Sequence, residues 1–300
     1  MTIAHIKGPG DDSLGDGSDD GLDDLIRRHT AQRPDERKEI EVVGKNKLGE
    51  LWVKYERALN IVDSLKVDII ESYLDEAIDD VLTPSQIEEF FRLTIAYENN
   101  EHYQKCTKLI INELIQNSYN ADNNGFVLNT NELAKPIDDL CANLRGTHNK
   151  PINITINGDV GYYFCSQGKF LSVTINGNTR DICNDYGSSS SFIINGNAKS
   201  IAGSSCSFIV NGDVEIINID FDIKSSSSYT INGEVKDQEF SVYSTRCVFK
   251  TQNQKTLGVF LRRIPLFRGH TIYFISEDGS ESKVGMWDRF VKRMAYKLKE

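Results

Sequence analysis

Apolar and small polar residues alternate in five short phrases over residues 151–237, and the phrases recur at a nearly fixed interval. They read ITING at 154–158, VTING at 173–177, FIING at 192–196, FIVNG at 208–212 and YTING at 229–233. Their Asn-Gly pairs lie 19, 19, 16 and 21 residues apart. Alternation of period two marks a strand with one face in a core. One strand and one turn repeated at that period predicts a solenoid.

Aligned on the Asn, the preceding position holds Ile156, Ile175, Ile194, Val210 and Ile231. Three before it stand Ile154, Val173, Phe192, Phe208 and Tyr229, and four before it Asn153, Ser172, Ser191, Ser207 and Ser228. After the Gly a second inward column is Val160, Thr179, Ala198, Val214 and Val235. A third is Tyr163, Ile182, Ile201 and Ile217. The β-branched and aromatic enrichment suits strands. The Asn column, Asn157, Asn176, Asn195, Asn211 and Asn232, is expected to form a ladder of amides bonded from coil to coil. The Gly beside each Asn is expected to supply a positive φ at the corner. A series of Asn-Gly hairpins is the alternative, but hairpins do not explain two equivalent columns across five copies.

The phrase GDVGYYFCSQG at 158–168, followed by the next ING, resembles the glycine-rich (GXGXG) β-helix at the C-terminus of glutamate synthase large subunits. A subunit of formylmethanofuran dehydrogenase carries a similar domain. The resemblance covers about residues 151–237 and implies a right-handed single-stranded β-helix of about five coils that acts as a scaffold. The first copy keeps the family's second glycine at Gly161, where later copies have Arg180, Lys199, Glu215 and Lys236. The resemblance implies no active site.

Before the repeat the period changes. Leu48, Leu51, Trp52, Tyr55, Leu59, Val62, Ile69 and Tyr73 recur at three and four, which predicts helix. Thr83-Pro84-Ser85-Gln86 reads as an N-cap, a first-turn proline and a capping box. The helix it opens carries Ile87, Phe90, Phe91 and Ile95, and a third helix carries Tyr103, Cys106, Ile110 and Leu114. Residues 84–118 resemble a tetratricopeptide-like helical hairpin through Phe90, Leu93, Tyr97, Tyr103, Cys106 and Ile110. That resemblance implies a peptide-binding or dimerising surface. Residues 117–131 read as a polar, turn-rich link. IDDLCANLR, between Pro136 and Gly146, reads as a short helix capping the first coil.

After residue 237 the period is lost. FSVY, CVF, GVFL and TIYFI read as ordinary strands, with Glu277-Asp278-Gly279 a turn. Residues 287–299 form an amphipathic pattern, with Trp287, Phe290, Val291, Met294 and Leu298 opposite Arg289, Lys292, Arg293, Lys297 and Lys299. A second solenoid cap is preferred there to a membrane-surface helix. The expected organisation is thus α+β. An acidic, disordered tail spans 1–40 and a helical domain 46–119. A capping helix with β-helix repeats spans 130–237, and a small mixed α/β segment 238–300.

Charge and composition narrow the function. Net charge is −10 with seven Asp in residues 8–24, which disfavours a general nucleic-acid binder. No apolar run is long enough to span a bilayer, and MTIAHIKGPG lacks a secretory core. The expected location is the cytoplasm. Cys106, Cys141, Cys165, Cys183, Cys206 and Cys247 show no CxxC, and the five His show no ligand spacing. No metal or cofactor site and no catalytic set is expected. The column Asp159, Asn178, Asn197, Asp213 and Glu234 is read as turn chemistry rather than an ion site. The sequence therefore points to a non-enzymatic scaffold for a protein partner or for self-association. A β-helix enzyme, acyltransferase-like or carbohydrate-active, and a self-assembling filament subunit are the alternatives.

Overall fold

The computed structural model describes residues 47–61, 81–184, 189–203, 205–219, 226–242, 246–264 and 269–285. The acidic tail, the helical pattern at 62–80 and the C-terminal amphipathic pattern lie outside them.

The helical region contains α1 (Lys47–Ile61), α2 (Pro84–Thr94) and α3 (Tyr103–Asn120). The start of α2 is the capping box that the sequence specifies. Gln86 N–H donates to the Thr83 hydroxyl, and the Gln86 side chain accepts from the Thr83 N–H at 2.9 Å. Buried Phe90 meets Trp52 and Tyr55 of α1 edge-on, and Ile87 and Phe91 are buried in the same core. The Tyr55 hydroxyl is bonded to Thr107 of α3 at 2.9 Å, tying the two helices through a shared apolar core.

The rest is a parallel β-solenoid of about five turns. A nine-stranded sheet joins β1 (Gly125–Asn129), β2 (Ile152–Asn157), β3 (Leu171–Asn176), β5 (Ser191–Ile194), β7 (Ser207–Val210) and β9 (Ser228–Ile231). It continues through β11 (Val248–Thr251) and β12 (Thr271–Ile275) to β13 (Glu281–Lys283). All pairs are parallel except β12 with β13. The second sheet stacks β4 (Thr179–Asn184), β6 (Ala198–Gly203), β8 (Val214–Ile219) and β10 (Val235–Val242). From β3 to β11 consecutive strands thus alternate between the sheets, as a coiling chain requires, while β1 to β3 and β11 to β13 follow one another in the larger sheet.

The inward columns meet in register. Ile156, Ile175, Ile194, Val210 and Ile231 are all buried, as are Val160, Thr179, Ala198, Val214 and Val235. Phe192, Phe208, Tyr229 and Phe249 stack face to face along the interior, with centroids 5.0, 5.4 and 5.5 Å apart.

Several expectations are corrected. Residues 125–129 are a strand, so the link is shorter than it reads, and FVLN is a further copy of FIVN. The parallel sheet also runs past residue 237, where β11 pairs with β9 in register. GVFL is not a strand but part of α4 (Gln254–Arg263), whose first turn is capped by the Asn253 side chain. It is Phe164, not Tyr163, that pairs with Ile182, and Tyr163 is 52% exposed. IDDLCANLR is not a helix but a chain of turns with positive φ at Asp139, Cys141 and Asn143. Its backbone bonds run to the coil above, including Asp139 N–H to the Tyr162 carbonyl and Asn143 N–H to the Ser166 carbonyl. Alternating left-handed residues cannot sustain the i→i−4 bonding of a helix.

Candidate functional site

The repeated Asn-Gly corner is built from two side-chain ladders on either side of a glycine column. In the first, each Asn donates its amide N–H to the carbonyl oxygen of the Asn one coil earlier. Asn157 donates to Asn129, Asn176 to Asn157, Asn195 to Asn176, Asn211 to Asn195 and Asn232 to Asn211, at 2.7–2.9 Å. Asn129 in turn donates to the Glu88 carboxylate of α2, so the helical region terminates the ladder. A strand period of two puts these amides at one corner, and in-register stacking places donor above acceptor.

In the second ladder the side chain accepts from backbone. Asp159, Asn178, Asn197 and Asp213 accept from the N–H of Asn178, Asn197, Asp213 and Glu234 at 2.7–3.0 Å. These oxygens bond the backbone of the following coil, so the column is an inter-coil ladder rather than the local turn chemistry expected of it. Among the described residues no group of three or more His, Cys, Asp or Glu could hold a metal ion.

The glycines between the ladders are needed for space. A Cβ on Gly177, Gly196, Gly212 or Gly233 would stand 2.1–2.4 Å from the carbonyl oxygen of the glycine one coil earlier. Of the column only Gly158 has a positive φ, +123°. The expected positive φ is therefore corrected to close backbone approach for the other four.

Outward from the nine-stranded sheet, Val127, Thr155, Thr174, Ile193, Ile209 and Thr230 form one column in register. All are half-buried or exposed, with Ile193 at 36% and Val127 at 37%. The column is therefore not covered by the helical region. It presents a flat strip of β-branched side chains held by the ladder at its edge. Beyond Thr230 it turns polar, with Lys250 bonded to Glu281 of β13 at 2.7 Å.

The N-terminal end of the solenoid is sealed by a polar stripe on α3 with helical spacing. Gln104 donates to the Pro136 carbonyl and Lys108 bonds the Asp139 carboxylate at 2.6 Å. Asn112 donates to the Asp139 carbonyl at 3.2 Å and accepts from Cys141 N–H at 2.6 Å. Gln116 donates to the Arg145 carbonyl at 3.3 Å and accepts from its N–H at 2.8 Å. The Asn112 and Gln116 amides each reproduce the paired donor and acceptor of a neighbouring strand. Nothing in the sequence marked these residues beyond four polar positions in one i,i+4 row.

Perturbed titratable groups have structural causes. Burial pushes the Cys106 thiol up to about 11 and the Tyr103 hydroxyl up to about 12. Burial also raises the Asp181 carboxyl, opposed by Ser200 and Lys199. Glu215 is lowered and Lys236 raised by their mutual bond of 2.5 Å. Among the described residues no helix is long and apolar enough to cross a membrane. No protein-family model, curated protein or solved structure matches the chain.

Proposed function

We propose that this chain is a non-enzymatic scaffold that binds a protein partner in the cytoplasm. The observation that carries this reading is the outer column of the nine-stranded sheet. Thr155, Thr174, Ile193, Ile209 and Thr230 are in register and accessible, on a backbone fixed by two ladders. A rigid strip of β-branched side chains, Ile193 and Ile209 flanked by threonines, suits apolar contact with a partner at little cost in ordering. The glycine column, set by close approach between coils, supports kinship with the GXGXG-type right-handed β-helix domain, which serves as a scaffold. The tetratricopeptide-like helices at 84–118 offer a second contact surface.

The test immobilises the full-length chain and an Ile193→Lys/Ile209→Lys variant and exposes both to extract of the chain's own cells. Both sites are on the outer face, so the variant keeps its core. The expected result is a discrete protein set held by the unaltered chain and lost from the variant. Equal retention by both overturns the assignment of this face.

A further inference from the structure

The segment IDDLCANLR has a structural double 24 residues on, GYYFCSQGK. Asp139, Cys141 and Asn143 have φ of 54°, 61° and 62°, and Tyr163, Cys165 and Gln167 have φ of 56°, 56° and 58°. The two segments run side by side in register. Cys165 N–H donates to the Leu140 carbonyl at 3.1 Å, and Asn143 N–H donates to the Ser166 carbonyl at 2.8 Å. These bonds bracket Cys141 and Cys165, which occupy the same position in successive coils with the same left-handed backbone. Neighbouring strands lie about 4.8 Å apart, inside the Cα separation of about 4.4–6.8 Å that a disulfide spans. Both thiols are fully buried and unbridged.

We propose that Cys141 and Cys165 are a dithiol pair that closes to an inter-coil disulfide, gated by the α3 cap. The oxidant is a small-molecule disulfide. One thiolate attacks it, releasing one small thiol and leaving a mixed disulfide. The second thiolate displaces the other small thiol, so two protein thiols are oxidised and one disulfide is reduced to two thiols. Burial beside the other thiol holds Cys165 in its protonated, unreactive form. The Asn112 side chain of α3 is bonded to the Cys141 N–H and the Asp139 carbonyl, so α3 holds the backbone of the first of the two turns. Reaction therefore requires α3 to lift from the first coil, and the closed disulfide staples the first two coils together.

The experiment incubates the full-length chain with glutathione disulfide, in buffer and in sub-denaturing urea, then alkylates and maps linked peptides by mass spectrometry. The expected product is one dominant linked peptide joining Cys141 to Cys165, lighter by two hydrogens. It should form roughly ten-fold faster in urea, because local opening limits access. Its thermal midpoint should exceed that of the reduced chain by about 5–10 °C. Cys141→Ser should abolish the peptide and leave glutathione on Cys165. Mixed disulfides on both thiols without a linked peptide overturn the proposal, as does pairing no more frequent than among the other cysteines. A rate in buffer equal to that in urea overturns the gating. None of these readings of the unaltered chain depends on a variant folding.

Discussion

Gly177 lies so close to Gly158 that a Cβ on Gly177 would stand 2.2 Å from the Gly158 carbonyl oxygen. The same clash recurs up the column, at 2.3 Å for Gly196 against Gly177. Gly196→Ala must therefore push two coils apart, in backbone that the flanking amide ladders hold together. A loss of about 2–4 kcal/mol is expected in urea denaturation, the scale of severe overpacking. Gly125→Ala is the control, since nothing stands within 4 Å of its Cβ. It should cost nothing, and equal losses at both sites would refute the close-approach account.

The Asn ladder sets a graded expectation. Asn195 donates to Asn176 and accepts from Asn211, whereas Asn232 at the far end donates to Asn211. Asn195→Ala thus breaks two ladder bonds and Asn232→Ala one. Partly exposed amide bonds are worth about 1 kcal/mol each, so the losses should be about 2 and about 1 kcal/mol. Equal losses by chemical denaturation would show that the amides do not act as a chain.

Much of this was legible because stacking imposes identity. Each Asn column position meets its own kind above and below, so the spacing of Asn157, Asn176 and Asn195 survives in the sequence. The capping box at Thr83 is equally legible, since its bonds are local. Legibility fails where a function is kept by another residue. The first rung, Phe126 to Asn129, escapes notice because Thr130 stands where later copies carry Gly. Thr130 instead donates its hydroxyl to the Asp159 carbonyl at 2.9 Å. GVFL is a short apolar run that suits strand or helix, and only the Asn253 cap decides it. The left-handed residues at 139, 141 and 143 leave no glycine to mark them. Their 24-residue echo at 163, 165 and 167 becomes visible once the coils are paired.

Asp181 gives a pH-dependent expectation. Burial raises its carboxyl in the folded chain, with Ser200 and Lys199 opposing. A raised folded value means that the ionised group weakens folding above that value. The penalty disappears as pH falls and the folded state takes up its proton first. Asp181→Asn should therefore be stabilising at pH 7 by at most about 0.5 kcal/mol after solvent screening. The gain should vanish below the ordinary carboxylate range. Denaturation of both chains across pH 3 to 8 checks it, and a gain that grows on acidification would reverse the sign.

The α3 stripe carries the expectation with most bearing on assembly. Asn112 and Gln116 occupy the donor and acceptor groups of Asp139, Cys141 and Arg145 that another strand would otherwise take. An exposed row of such groups is a template for pairing with a second chain. Leu at both positions keeps the helix and fills similar space but offers the edge no hydrogen bond. Asn112→Leu/Gln116→Leu should lose about 2–4 kcal/mol through the unpaired backbone groups. Hydrogen exchange at the Cys141 and Arg145 amides should become faster by roughly ten-fold or more. Light scattering over a concentration series should give a constant molar mass for the unaltered chain and a rising one for the variant. A variant with fast exchange but constant mass would mean that the cap protects the first coil without preventing assembly. A rising mass in the unaltered chain would instead make assembly a property of the protein, through a surface other than this sealed end.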